Sequence, residues 1–174
     1  RSSRGLGDVY KRQDEEGALL VEGHPVLQAI DGLDGLEEAA EVSVRYNAAL
    51  AGLDGLQALH TVSGTLTVEI NPSLPDLSGL RSLERAGALV LSDCDGLTSL
   101  EGLDALDEVG ELVITENDHL SDLTALSRLN RLTSLTITDN PALVDLTGLE
   151  GLTVVEDDLD PVSYTHLTLP TSTH

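Results

Sequence analysis

The sequence predicts a parallel β solenoid of six coils, each about 23 residues long and built from short strands and 3₁₀ or irregular turns. Three observations support this prediction. A marker residue, most often Asn, recurs every 23 or 24 residues. An apolar residue occupies every third position after each marker, and the segment before it alternates apolar and polar residues. Repeats of this length are typical of stacked supersecondary units that share one core.

The marker position defines the six coils, which are numbered 1 to 6 along the chain. It is occupied in turn by His24, Asn47, Asn71, Cys94, Asn117 and Asn140. The buried turns of a solenoid contain backbone N–H and C=O groups that need hydrogen-bond partners. A stacked Asn can both donate and accept, so we expect a structural ladder along this column. Cys94 and His24 are then ladder residues; the alternatives are a reactive thiol and a histidine ligand.

The apolar residues after the marker recur with a period of three, which argues against an α-helix. One run is Leu120, Leu123, Leu126, Leu129 and Leu132. An α-helix turns 100° per residue, so each step of three would drift by about 60° and scatter the leucines around the helix. Tight turns with three residues per turn keep them on one side. Each coil is therefore predicted to be one short strand followed by tight turns.

The alternating segments predict six strands that pair in parallel with their neighbours in sequence. They are expected near residues 19–22, 42–46, 66–70, 89–92, 112–116 and 135–139. One interval between markers has an extra residue, in Ser63-Gly64-Thr65, where a glycine can accommodate a β-bulge.

The two ends of the chain differ from the repeats, and we interpret them as non-native. Residues 1–13 and 162–174 resemble translated sequencing-library adapters, because Asp8–Gln13 and Val162–His166 can be encoded by one DNA element read from opposite strands. Such segments do not contribute to the native fold. Residues 14–161 are then the solenoid fragment. The chain contains no Met, so we expect the natural protein to begin upstream.

Composition narrows the possible partners. The formal net charge is −22, and residues 14–161 hold 30 of the 31 acidic but five of the nine basic residues, which gives a net charge near −25 there. We expect no nucleic-acid partner, since such binding requires Lys and Arg against phosphates. The single cysteine excludes an internal disulfide. No apolar stretch reaches about 18 residues, so no membrane insertion is expected.

The repeat resembles a known family. In Leu112-x-Ile114-x-x-Asn117-x-x-Leu120 the marker Asn is followed by x-x-Leu, as in receptor L domains, the right-handed β-helical, leucine-rich-repeat-like ligand-binding units of growth-factor receptors. Bacterial surface proteins carry similar arrays. The resemblance covers Leu19 to about Val155 and implies a ligand-binding solenoid. The cysteine-rich modules and kinase signatures that accompany L domains in animal receptors are absent from this sequence.

The sequence contains no nucleotide-binding, hydrolase or metalloprotease motif. We therefore predict that the chain is not an enzyme unless a missing domain carries the activity. Two columns of side chains remain of interest. The first is a possible binding face of outward strand residues, Arg45, Glu69, Ser92, Thr115 and Thr138, together with the parallel outward row of Leu20, Ser43, Thr67, Val90, Val113 and Thr136. The second consists of Asp93, Glu116 and Asp139, which precede the ladder residues of coils 4, 5 and 6. Ca²⁺ could bind there; solvated carboxylates are the alternative.

The sequence therefore favours a secreted or cell-surface recognition module that binds a protein or a glycan through a flat parallel sheet. The alternative is a structural spacer or adhesin-type array whose acidic surface provides solubility.

Overall fold

The computed structural model describes residues 17–156, and their architecture is the predicted parallel β solenoid. The adapter-like residues 1–13 and 162–174 lie outside this range. Nine strands are present in the described range: β1 Ala18–Glu22, β2 Glu38–Ala39, β3 Glu41–Arg45, β4 Thr61–Glu69, β5 Arg85–Ser92, β6 Glu108–Thr115, β7 Arg131–Leu132, β8 Ser134–Thr138 and β9 Val154–Val155. All of their pairings are parallel.

The main sheet has the strand order β1-β3-β4-β5-β6-β8, with one strand from each coil. Its register is that of the repeat: Leu66 pairs with Leu89, and Leu89 pairs with Leu112. The register shifts between Val62 and Thr65, which confirms the bulge predicted at Gly64. The strands therefore stack in sequence order, and each coil adds one rung.

The predicted strand ends were one residue too long in four coils. Tyr46, Ile70, Glu116 and Asp139 were assigned to strands, but all have positive φ angles between 53° and 58°. An L-residue in this left-handed region breaks the extended conformation. The strands therefore end at Arg45, Glu69, Thr115 and Thr138.

Sequence reasoning missed a second, narrower ribbon of strands. It comprises β2, the first residues of β4, β5 and β6, and the β7–β9 pair. Each of its rungs is a two-residue step, such as Arg85-Ala86, in which the first residue is more exposed than the second. The alternation of buried residues breaks between this ribbon and the main sheet, as between Ala86 and Leu89, and a groove lies along the ribbon.

The leucine runs form the tight turns that the period of three predicted. Leu56, Leu59 and their equivalents donate backbone hydrogen bonds to the leucine three residues earlier, as in Leu59 N to Leu56 O at 2.9 Å. Three of these turns are 3₁₀ helices, at Asp54–Leu56, Ser78–Leu80 and Thr124–Leu126. No helix within residues 17–156 is long and apolar enough to span a bilayer.

The core is a stack of leucine columns that continues through all six coils. Leu50, Leu74, Leu97 and Leu120 occupy the same position in successive coils, and each has 0% exposure. Burial of each leucine contributes on the order of 1.5–3 kcal/mol. Because no coil could bury these side chains alone, the fold depends on neighbouring coils.

Candidate functional site

The ladder column lies inside the solenoid, where its side chains bond backbone groups of their own and adjacent coils. Asn117 is fully buried; its Nδ2 donates to the carbonyls of Leu91 and Thr115 at 3.2 and 2.8 Å. Its Oδ1 accepts from the backbone N–H of Cys94 at 3.1 Å. Asn47, Asn71 and Asn140 repeat the donor pattern to the preceding coil. The backbone N–H of His24 joins the column by donating to Asn47 Oδ1.

Cys94 occupies a ladder position but cannot supply an amide oxygen. Its Sγ donates weakly to the carbonyls of Val68 at 3.7 Å and Ser92 at 3.4 Å, and the amide groups of Asn71 face the sulfur. Burial, followed by the nearby Asp93 and Asp95 carboxylates, raises the pKa of the Cys94 thiol to about 11. A buried thiol with a raised pKa is a poor nucleophile, which favours the ladder role over a reactive one.

The residue before each of these ladder positions adopts the left-handed conformation with which the chain passes from strand to turn. Asp93, Glu116 and Asp139 are exposed and have φ angles of 51°, 55° and 55°. The backbone N–H of Glu116 donates to the carbonyl of Thr138 in the next coil at 3.2 Å. Within residues 17–156, no group of three or more His, Cys, Asp or Glu side chains could hold a metal ion. The Ca²⁺ hypothesis for this column therefore has no geometric support.

Other aspartates cap the tight turns. Asp122 Oδ1 accepts from the backbone N–H of Thr124 at 2.7 Å, and Asp145 does the same for Thr147 at 2.9 Å. The backbone and side-chain groups of these threonines lower the pKa values of both carboxyl groups. These carboxylates thus stabilise the backbone of the tight turns through hydrogen bonds, as in Asx turns.

The two central rows of side chains on the outer face of the main sheet include charged residues in coils 1 to 3 and none in coils 4 to 6. In coils 1 to 3 the outward row is Glu22, Arg45 and Glu69, with an Arg45 Nε to Glu69 Oε2 ion pair at 3.3 Å. The smaller row beside it is covered in coils 2 and 3, where Ser43 and Thr67 are only 4% and 3% exposed, whereas Leu20 of coil 1 is exposed. Ser43 also donates to Glu22 Oε1 at 2.6 Å. These two residues were expected on the open face and are instead buried.

In coils 4 to 6 the face carries no charge on its two central rows. Six half-buried residues form this surface, which we call the neutral patch: Val90, Ser92, Val113, Thr115, Thr136 and Thr138. Thr115 Oγ1 donates to Ser92 Oγ at 3.2 Å, which links adjacent strands. The carboxylates of Asp93, Glu116 and Asp139 follow the patch along one edge.

A groove of about 750 Å³ lies along the second ribbon, apart from the sheet face. The charged residues that line it are Arg85, Asp107, Glu108 and Arg131. Sequence reasoning did not identify it, although alignment of the coils would have shown alternating charges in the column Glu38, Thr61, Arg85, Glu108 and Arg131.

No family model, curated protein or solved structure matches this chain.

Proposed function

We propose that this chain is a recognition module of a secreted or cell-surface protein, similar to receptor L domains, that binds a protein or a glycan through the outer face of its main sheet. The observation that carries the proposal is the neutral patch in a chain with a net charge of −22. Charged residues are depleted at the centre of protein interfaces and more common at the rim. The patch and its carboxylate edge fit that pattern, which favours a protein partner.

The shape of the face also supports recognition. Strands in a sheet lie about 4.8 Å apart and rise about 3.4 Å per residue, so side chains on three successive coils form a nearly flat array. β-Branched valine and threonine side chains have few rotamers and lose little entropy on contact. The proposed location outside the cell rests on the resemblance to L domains and bacterial surface arrays.

The experiment is a binding screen of the full chain against an array of extracellular proteins and glycans. A Val113→Arg/Thr115→Arg variant should lose any specific binder, because it places two charges at the centre of the patch. A Ser121→Arg variant, which changes an exposed turn residue of the same coil, should retain it. Binding that survives the first variant would show that the sheet face is not the site.

A structural spacer is the second candidate, and the distribution of carboxylates favours it. Acidic residues are present in the turns of every coil, as a solubilising surface would require. A spacer predicts no specific binder on the array, and its folding stability would be its main selected property.

A further inference from the structure

The shape of the groove along the second ribbon follows from the close stacking of the coils. It crosses coils 3 to 6 and has glycines on two successive strands, Gly87 and Gly110. A Cβ at Gly87 would lie 2.6 Å from the carbonyl oxygen of Ser63, and a Cβ at Gly110 would lie 2.5 Å from that of Gly87. The close stacking of coils therefore excludes side chains at these positions. The floor is bare backbone, and the concavity is preformed.

The groove is electrically balanced, unlike the rest of the molecule. Its lining includes two arginines and two acids, and Arg85 Nε lies 3.2 Å from Glu108 Oε2. Arg131 Nε donates to Glu156 Oε1 at 3.0 Å. Hydroxyl and amide groups complete the polar lining: Thr61, Ser63, Asn130 and Thr133. The site thus offers both donors and acceptors with no net charge among its lining residues.

We propose that this groove is a second binding site, separate from the sheet face, for a neutral, linear oligosaccharide. A sugar hydroxyl both donates and accepts, so it can bond to a carboxylate, a guanidinium or an amide without disrupting the Arg85–Glu108 pair. An anionic ligand would meet the repulsion of a chain with a net charge of −22. A cationic ligand would compete with the arginines for the carboxylates. The balance of the lining therefore selects for a neutral, hydroxyl-rich ligand.

A peptide fits the groove less well. Strand addition needs an unpaired sheet edge, but at Arg85-Ala86 strand β5 is paired on both sides, with β4 and β6. Helix docking needs a hydrophobic groove with pockets for anchoring side chains, and the apolar residues that line this groove are buried: Val62, Ala86, Val109 and Leu132. Among residues 17–156, none that lines the groove is aromatic, so sugar binding relies on hydrogen bonds and suits a method that detects weak complexes.

The test is an NMR titration of the isotope-labelled full chain with cellohexaose, laminarihexaose and maltohexaose in turn. At least one should shift the backbone amides of Gly87, Gly110 and Asn130, and added NaCl should leave the affinity unchanged because no net charge is paired. Thr133→Tyr, which fills the groove from its exposed lining residue, should abolish these shifts.

Ser121→Tyr is the matched control, since it adds the same ring to an exposed turn residue outside the groove and the sheet face and should leave the groove shifts intact. Circular dichroism of both variants establishes that they fold. The proposal is overturned if none of the three sugars shifts the groove amides, or if the shifts persist in Thr133→Tyr. It is equally overturned if Lys-rich or Glu-rich heptapeptides, run in parallel, shift those amides and the sugars do not. A failure to find any binder at the sheet face would contradict the proposed function, but it would not affect the result of this groove titration.

Discussion

A single ladder asparagine satisfies three backbone groups in the interior of the solenoid, through two fully buried hydrogen bonds and one partly buried one. Asn117 accepts from the Cys94 N–H and donates to the carbonyls of Leu91 and Thr115. A buried polar group without a partner costs about 1–3 kcal/mol, so each ladder side chain fixes the geometry of its own turn and of the preceding one. The ladder column was predictable from sequence because the regular spacing of the marker residues reveals it. The left-handed backbone conformation of the residues before it was not predictable, since Tyr46 and Ile70 are unusual residues for that conformation.

The weakest rung of the ladder is Cys94, and replacing it with Asn, the residue at four of the six ladder positions, should stabilise the protein. In Cys94→Asn, the new Oδ1 would accept from the amide groups of Asn71 that now face a sulfur. We expect the free energy of unfolding to rise by about 1 kcal/mol in urea denaturation. Cys94→Ser, which has no amide to extend across the coils, serves as control and should not gain this energy. A destabilised Cys94→Asn protein would mean that the column cannot accommodate an amide at coil 4.

The buried thiol also gives the stability a specific pH dependence. As the pH rises past 9.0, the thiol of the unfolded chain ionises, while the native thiol stays protonated until about pH 11. The unfolded state is therefore favoured progressively over this window, and wild-type stability should fall by on the order of 2 kcal/mol more than that of Cys94→Ser. Paired urea titrations at pH 8 and pH 11 measure this difference. Equal losses in both proteins would show that the native thiol ionises freely.

At the scale of the element, the sequence predicted the main-sheet strands and the tight turns, which repeat in every coil, but not the two-residue strands of the second ribbon. The strands of the main sheet follow from alternation over five residues, as in Leu112 to Glu116, and the turns follow from the leucine period. A two-residue strand such as Arg131-Leu132 has too little alternation to be recognised in one coil. The groove depends on this ribbon, so it was missed with it. The covering of Thr67 depends on the neighbouring Arg45, which spacing cannot predict.

The glycine column of the turns shows how closely the coils stack. In coils 2 and 3 Gly55 and Gly79 lie in 3₁₀ turns, whereas Gly102 of coil 4 has a φ of +106°. A Cβ at Gly102 would overlap the carbonyl oxygen of Leu77. Gly102→Ala should therefore destabilise the protein by at least about 3 kcal/mol, from backbone strain and overlap together. The measurement is the urea midpoint compared with that of wild type.

Gly35→Ala is the matched control for this substitution. Gly35 has nothing within 4 Å of an added Cβ, so the change should alter stability by less than about 1 kcal/mol. Comparable losses in the two variants would indicate that coil stacking at Gly102 is looser than the structure shows.

For the molecule as a whole, the main electrostatic feature is self-repulsion along a rod of stacked coils. A net charge of −22 raises the free energy of the compact state, and the three surface ion pairs of residues 17–156, Arg45–Glu69, Arg85–Glu108 and Arg131–Glu156, offset little of it. Equivalent carboxylates on adjacent coils, such as Asp93 and Glu116, lie on neighbouring rungs about 4.8 Å apart. The repeat thus brings like charges together in each acidic column, and the stacking of the core outweighs their repulsion.

Salt should therefore stabilise the solenoid by screening. The melting temperature is expected to rise steadily as NaCl increases from about 0.01 to 1 M, over which the Debye length falls from about 30 to 3 Å. Because Asp93, Glu116 and Asp139 do not converge on one point, CaCl₂ at matched ionic strength should give the same increase as NaCl. The discriminating variant is Asp93→Asn/Glu116→Gln/Asp139→Asn, which removes three charges and should show a smaller salt response with both cations. If Ca²⁺ stabilised the wild type beyond Na⁺, and this variant lost the difference, the column would be a cation site after all. If neither salt raised the melting temperature, repulsion between coils would not be a significant term in the stability of the fold.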